Sequence, residues 1–153
     1  IWRGPMVHNA INTLLQTTEW GELDYLIVDL PPGTSDAPLT VMQTLELDGF
    51  VVVTTPQELA KIDAMRSINM IKTLNVPVLG VVENYCGEIF GSGAGGDLAK
   101  EMDIRFMGQL ELRSDYRDTS KPTVLNSEEV MAEYRHVAQE LKSALDEISS
   151  QDD

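Results

Sequence analysis

The chain reads as an α/β fold, a mostly parallel sheet with helices on both faces. Three features predict it. Apolar runs at 25–30, 50–54 and 78–82 are short and continuous, as in strands covered on both sides. Stretches with apolar residues at helical spacing separate them. Units of strand, helix and strand of this length imply crossover connections, and so parallel pairing.

Each element follows in order. From Met6 to about Thr18, Val7, Ile11, Leu14 and Leu15 recur at helical spacing. The run 25–30 is a strand that ends on Asp29 and breaks at Pro31-Pro32-Gly33. Asp36 caps a helix running through Val41, Met42, Leu45 and Leu47. A Val-rich strand occupies 50–54. Thr55-Pro56-Gln57-Glu58 then reads as a helix start, with Thr55 at the cap, Pro56 at the first helical position and Glu58 closing a capping box. That helix carries Ile62, Met65 and Ile68 towards Leu74. Pro77 precedes a strand at 78–82, and the glycine-rich run 91–96 leads to a short helix at 98–102. A strand at 105–110 follows. The final helix, about 127–148, has an apolar stripe from Val130 through Tyr134, Val137 and Leu141 to Ile148.

At 153 residues the chain has the length of one domain, read as 1–148 with a frayed acidic tail at 149–153. The apolar share of 42% and charged share of 24% suit a soluble globular protein. No apolar run is long enough for a membrane span, and no signal peptide is visible, which predicts a cytoplasmic protein without a membrane partner. The missing initiator Met fits a chain whose start has been removed. A formal charge of −14 argues against nucleic acid, which needs clustered Lys and Arg. Much of that charge lies after Asn126, where eight acidic residues face two basic ones, and reads as a solvated helix face. A single cysteine, Cys86, excludes an internal disulfide and agrees with a reducing compartment.

Three places carry candidate chemistry. Asp29, at the carboxyl end of a strand, can hold the water shell of a Mg²⁺ ion, or can simply cap the turn that follows. Pro31 and Pro32 stiffen that turn, and Gly33 leaves a backbone N–H open to a terminal phosphate. Asn84 ends the strand 78–82, where its amide can meet an adenine edge or bond its own backbone as a turn residue. Cys86, just beyond that strand, is a candidate iron–sulfur or zinc ligand or an inert buried thiol. The run 91–96 is not a phosphate loop, since Asp97 stands where Lys is needed; it reads as a mobile connection. His8 and His136 lack metal-like spacing and are assigned no role.

Six motifs in order then carry a resemblance: Trp2-Arg3-Gly4-Pro5-Met6; Trp20 through Tyr25; Asp29-Leu30-Pro31-Pro32-Gly33-Thr34; Val53-Thr54-Thr55-Pro56-Gln57; Asn75 through Asn84; and Ile89-Phe90-Gly91 with Gly93. Together they resemble the Mrp/ApbC family, P-loop ATPases of the MinD-like (SIMIBI) group that carry iron–sulfur clusters to apo-proteins. The likeness runs from Ile1 to about Leu125. It implies that Asp29 is the Walker B-type carboxylate near Mg²⁺, that Pro31, Pro32 and Gly33 form a switch answering the γ-phosphate of ATP, and that Asn84 faces the adenine. It also implies a homodimer sharing a cluster of the 4Fe-4S type between paired cysteines, with apo iron–sulfur proteins as clients.

Departures from the family pattern shape the expectation. The phosphate loop would lie upstream of Ile1, so the chain reads as the carboxyl-terminal part of an incomplete P-loop domain, without ATP hydrolysis of its own. The family's Cys-Pro-x-Cys is shortened to Asn84-Tyr85-Cys86-Gly87-Glu88-Ile89, which keeps a single thiol. Either this member lacks the cluster site or a stretch has been dropped. The family's Pro-Leu-Asp-Pro reads Glu111-Leu112-Arg113-Ser114. Two rival readings stand beside the carrier. One is a MinD- or ParA-like positioning ATPase, which the acidic last helix disfavours; the other is a non-catalytic half that supplies only a dimer or scaffold surface.

Overall fold

The computed structural model describes residues 4–30 and 36–150. The chain forms two compact units, Ile1–Leu47 and Asp48–Asp153.

The first unit holds two helices, α1 (Gly4–Thr17) and α2 (Asp36–Thr44). Side chains tie them together. Asn12 Nδ2 donates to His8 Nε2 at 2.9 Å, which leaves His8 Nδ1 to donate to Thr40 Oγ1 at 3.1 Å. Thr44 Oγ1 donates to Asn12 Oδ1 at 2.6 Å. His8 therefore has a structural use that its sequence context did not suggest.

The strand expected at 25–30 is absent. These residues have no regular structure, and Tyr25, Leu26 and Ile27 are exposed, Ile27 by 83%. The cause is lateral. An extended segment becomes a strand only when a neighbour takes up its N–H and C=O groups. No sheet exists among the described residues of this unit, so the apolar pattern has nothing to pair with.

The second unit is a three-stranded, all-parallel sheet in the order β1-β2-β3, with β1 (Phe50–Thr54), β2 (Val78–Cys86) and β3 (Phe106–Glu111). Helix α3 (Glu58–Thr73) links β1 to β2, α4 (Ala94–Met102) links β2 to β3, and α5 (Glu128–Ser149) follows two short 3-10 turns. Neighbouring residues Val81 and Val82 point to opposite faces of β2 and enter separate cores. Val52 and Val81 pack with Ala64, Ile68, Ile71 and Leu98 from α3 and α4. Leu79, Val82, Met107 and Leu110 pack with Ala144, Val137 and Leu141 of α5. Helices thus cover both faces, as the continuous apolar strands require.

Element ends depart from expectation in three places. Helix α3 starts at Glu58, with Gln57 as its cap at φ −72° and ψ 136° and no side-chain cap bond. The Thr55/Glu58 capping box does not form, because Pro56 and Gln57 are used to turn the chain out of β1 before the helix begins. Strand β2 runs four residues beyond Val82, since β3 keeps pairing with it to Cys86↔Glu111. Residues Ala94, Gly95 and Gly96 of the glycine run belong to α4. The last helix does start as expected: Ser127 Oγ accepts from Val130 N, and Glu128 and Glu129 fill its first turn.

Packing gives two expected outcomes in urea unfolding. Leu98 has no exposure and lies in the α3–α4 core, so Leu98→Ala should cost about 2–5 kcal/mol. Ser127→Ala should cost about 1 kcal/mol through the lost cap. Equal costs for the two would contradict this division between core and cap.

Candidate functional site

The carboxyl ends of β2 and β3 gather the groups with chemistry in the second unit. Strand β2 carries Glu83, Asn84 and Cys86 in succession. Four residues of β2, Glu83 to Cys86, face only three of β3, Gln109 to Glu111, so the strand bulges at Asn84 and Tyr85. Tyr85 takes φ 61°, a left-handed conformation uncommon for a residue with a side chain. Asn84 Oδ1 accepts from Tyr85 N at 2.9 Å and stabilises that turn of the backbone. Asn84 is half-buried, with its carbonyl used locally.

Cys86 closes β2. It is 2% exposed, and its Sγ donates to the Glu83 carbonyl at 3.4 Å. Burial, and then the negative charge of Glu83, push the thiol up to about 12, so it is protonated at neutral pH. Beyond it the backbone makes a tight hairpin: Gly87 N donates to Gly91 O at 3.0 Å and Gly91 N to Gly87 O at 2.8 Å. Both glycines have positive φ, 128° and 77°. The hairpin raises Ile89 and Phe90 into solvent, 74% and 44% exposed. Glu88 and Ile89, with Glu111 and Leu112, line an open cavity of about 230 Å³ that has Cys86 in its wall. Of these residues, Glu111 pairs with Arg113 at 2.7 Å, and Arg113 also pairs with Glu133 at 2.6 Å.

Glu83 escaped the sequence reading. It is fully buried, and its oxygens take one backbone N–H each: Oε2 from Gly93 at 2.9 Å and Oε1 from Gly95 at 3.1 Å. These donors stand at the start of α4, where unpaired N–H groups and the helix dipole favour an anion. A Cβ on Gly95 would sit 2.7 Å from Glu83 Cβ, so glycine is required there. The run read as a mobile connection is pinned to β2 at two points. The signal was present: one acidic residue in an apolar strand, ten residues ahead of a glycine-rich helix start.

Four expected site residues remain, Asp29, Pro31, Pro32 and Gly33. Asp29 is exposed in the first unit, whereas Asn84 and Cys86 share the end of β2 in the second. Pro31, Pro32 and Gly33 lie outside the described residues. Among the described residues no three His, Cys, Asp or Glu side chains are grouped to hold a metal ion. Cys86 is buried and its thiol is bonded to the Glu83 carbonyl, so in this arrangement its sulfur is not open to a metal ion. No described helix is long and apolar enough to cross a membrane.

Comparison with known proteins agrees with the motif resemblance. The family of NUBPL iron-transfer P-loop NTPases matches residues 1–145. The iron-sulfur cluster carrier protein of Methanocaldococcus jannaschii is 41% identical over 155 residues, covering 92% of this chain and 53% of that protein. The iron-sulfur cluster transfer protein NUBPL of Dictyostelium discoideum is 42% identical over 165 residues, covering 98% of this chain and 51% of that one. A nucleotide-binding protein from Archaeoglobus fulgidus, solved in complex with ADP, matches with a TM-score of 0.62 and 42% identity, over 72% of this chain and 49% of that one. The chain spans about half the length of the curated relatives it matches. With a family match reaching from Ile1 to residue 145 and relatives above 40% identity, the chain belongs to the NUBPL iron-transfer P-loop NTPases, the family its Mrp/ApbC-like motifs indicated.

Proposed function

We propose that this chain is part of an ATP-dependent carrier that delivers iron–sulfur clusters to apo-proteins in the cytoplasm, working as a homodimer. The observation that carries this reading is the identity above 40%, over nearly the whole chain, to proteins named as cluster carriers and transfer proteins.

Bound ATP with Mg²⁺ would supply the energy for switching between two conformations. The exposed carboxylate of Asp29 has room for a hydrated ion and would hold the metal's water shell. Pro31, Pro32 and Gly33 would follow the terminal phosphate, with Gly33 lending its N–H. Asn84, half-buried near the carboxyl end of β2, would meet a base edge through its amide donors, because its carbonyl serves Tyr85. The cluster is the cargo, of 4Fe-4S type in this reading. Cys86 would take part only after its surroundings open and the thiol loses its proton.

The full-length protein should hydrolyse ATP with Mg²⁺, and Asp29→Ala should slow turnover by on the order of 10²-fold or more. Unchanged turnover removes Asp29 from its role. After anaerobic reconstitution with iron and sulfide, the protein should restore an apo iron–sulfur enzyme. A failure to transfer under reducing conditions overturns the carrier reading.

Cys86 adds a pH signature. Its thiol ionises near 9 in the unfolded chain and near 12 in the folded one, so above about pH 9 the unfolded state loses a proton that the folded state keeps. Stability from this group is complete below about pH 9 and falls as pH rises towards 12. Urea unfolding from about pH 8 to about pH 10.5 should therefore weaken the parent more than Cys86→Ser. Parallel curves would contradict the burial of the thiol.

A further inference from the structure

Among the described residues, Glu83 is the one carboxylate with no exposure to solvent. An apolar side chain of similar size would pack in β2 at no desolvation cost, so a buried charge there calls for a specific use. Its bonds are arranged for one. The donors, Gly93 and Gly95, stand ten and twelve residues downstream, so the carboxylate closes the segment 84–92 into a ring. Inside that ring lie Asn84, Cys86 and the hairpin closed by Gly87 and Gly91. The near strand β3 holds only the inner side of the ring, through Cys86↔Glu111 and Leu112 N to Cys86 O at 2.9 Å.

We propose that Glu83 is a positioning residue: its carboxylate latches segment 84–92 to the start of α4, and releasing it frees the hairpin and opens Cys86 to thiol-seeking ligands while the sheet stays folded. The inference rests on hydrogen bonds, burial and chain connectivity within the second unit. It stands whether or not the nucleotide reading holds. The Gly87–Gly91 pair lies within the segment and does not tie it to the rest of the unit, whereas the charge-assisted bonds of the Glu83 carboxylate hold its two ends together. An opening of this kind is local, exposing little surface compared with full unfolding.

The test is the reaction of Cys86 with an aromatic disulfide in the native chain, followed across low urea concentrations. The Cys86 thiolate attacks the reagent, forms a mixed disulfide and releases one coloured thiolate. Glu83→Gln sets an amide donor against a glycine N–H and loses at least one bond. It should react on the order of ten- to a hundredfold faster than the parent without urea, with a rate that hardly changes as urea is added. Leu141→Ala, which weakens the α5 core instead, should show acceleration only with a steep urea dependence. A Glu83→Gln rate equal to the parent's, or one as steep in urea as Leu141→Ala, overturns the latch. Should Glu83→Gln fail to fold, Gly93→Ala removes one donor by straining φ at 107° with open space beside it. The same flat acceleration supports the latch, and a steep or absent one overturns it.

Discussion

Strand β2 is the constraint on which the second unit depends. It alone among the described strands is paired on both sides, and Leu79, Gly80, Val81, Val82 and Glu83 are all buried. Both cores take a wall from it, so its register sets where α3, α4 and α5 can rest. Gly80 shows how tight the fit is: a Cβ there would meet the Arg105 carbonyl at 2.7 Å and Met107 at 2.8 Å. In such a strand a carboxylate has no water to turn to and must find donors within the protein. The start of α4 provides them. The position of that helix is therefore fixed by an electrostatic bond as well as by Leu98 in the core.

How far the sequence revealed this fold follows from what each residue needs in order to act. Strands β1 and β3 were legible because Val52, and Met107 with Leu110, are buried against helices of the same unit. The final helix was legible to within a residue, since its stripe and its Ser127 cap are local features. The run 25–30 misled because an apolar pattern records what a segment can bury, not whether a partner strand stands beside it. Thr55 misled because a capping box shows only that a helix can start there, while the turn out of β1 decides where it does. Asn84 and Cys86 were chosen as candidates from their place after an apolar run, and both stand near the end of β2. Glu83 was missed because its role depends on two N–H groups made available by another element, which no residue pattern displays.

The acidic last helix illustrates the same gap between composition and place. Its surplus of carboxylates reads as a solvated face, and several are exposed. Glu133, Glu140 and Glu147, however, fall at intervals that bring them to one side of the helix. Arg113 pairs with Glu133 at one end of β3, and Arg105 pairs with Glu140 at 3.0 Å and Glu147 at 2.5 Å at the other. These bonds raise both arginines above their ordinary range, mainly through hydrogen bonds to Glu147 and Glu133. Partly exposed pairs of this kind add little to stability, and they tie α5 to both ends of β3.

The glycine-rich stretch after Cys86 shows why a phosphate-loop appearance is not a phosphate loop. Such a loop works by leaving consecutive backbone N–H groups unpaired and aimed at a common point. Here Gly87 and Gly91 bond each other, while Gly93 and Gly95 bond Glu83. The anion that a helix start attracts is already present, as a side chain of the neighbouring strand. Glycine is needed along the stretch for different local reasons: left-handed backbone at Gly87, Gly91 and Gly93, and want of space beside Glu83 at Gly95. A segment built this way binds the protein to itself, and what it presents outward is the side chains at its hairpin tip.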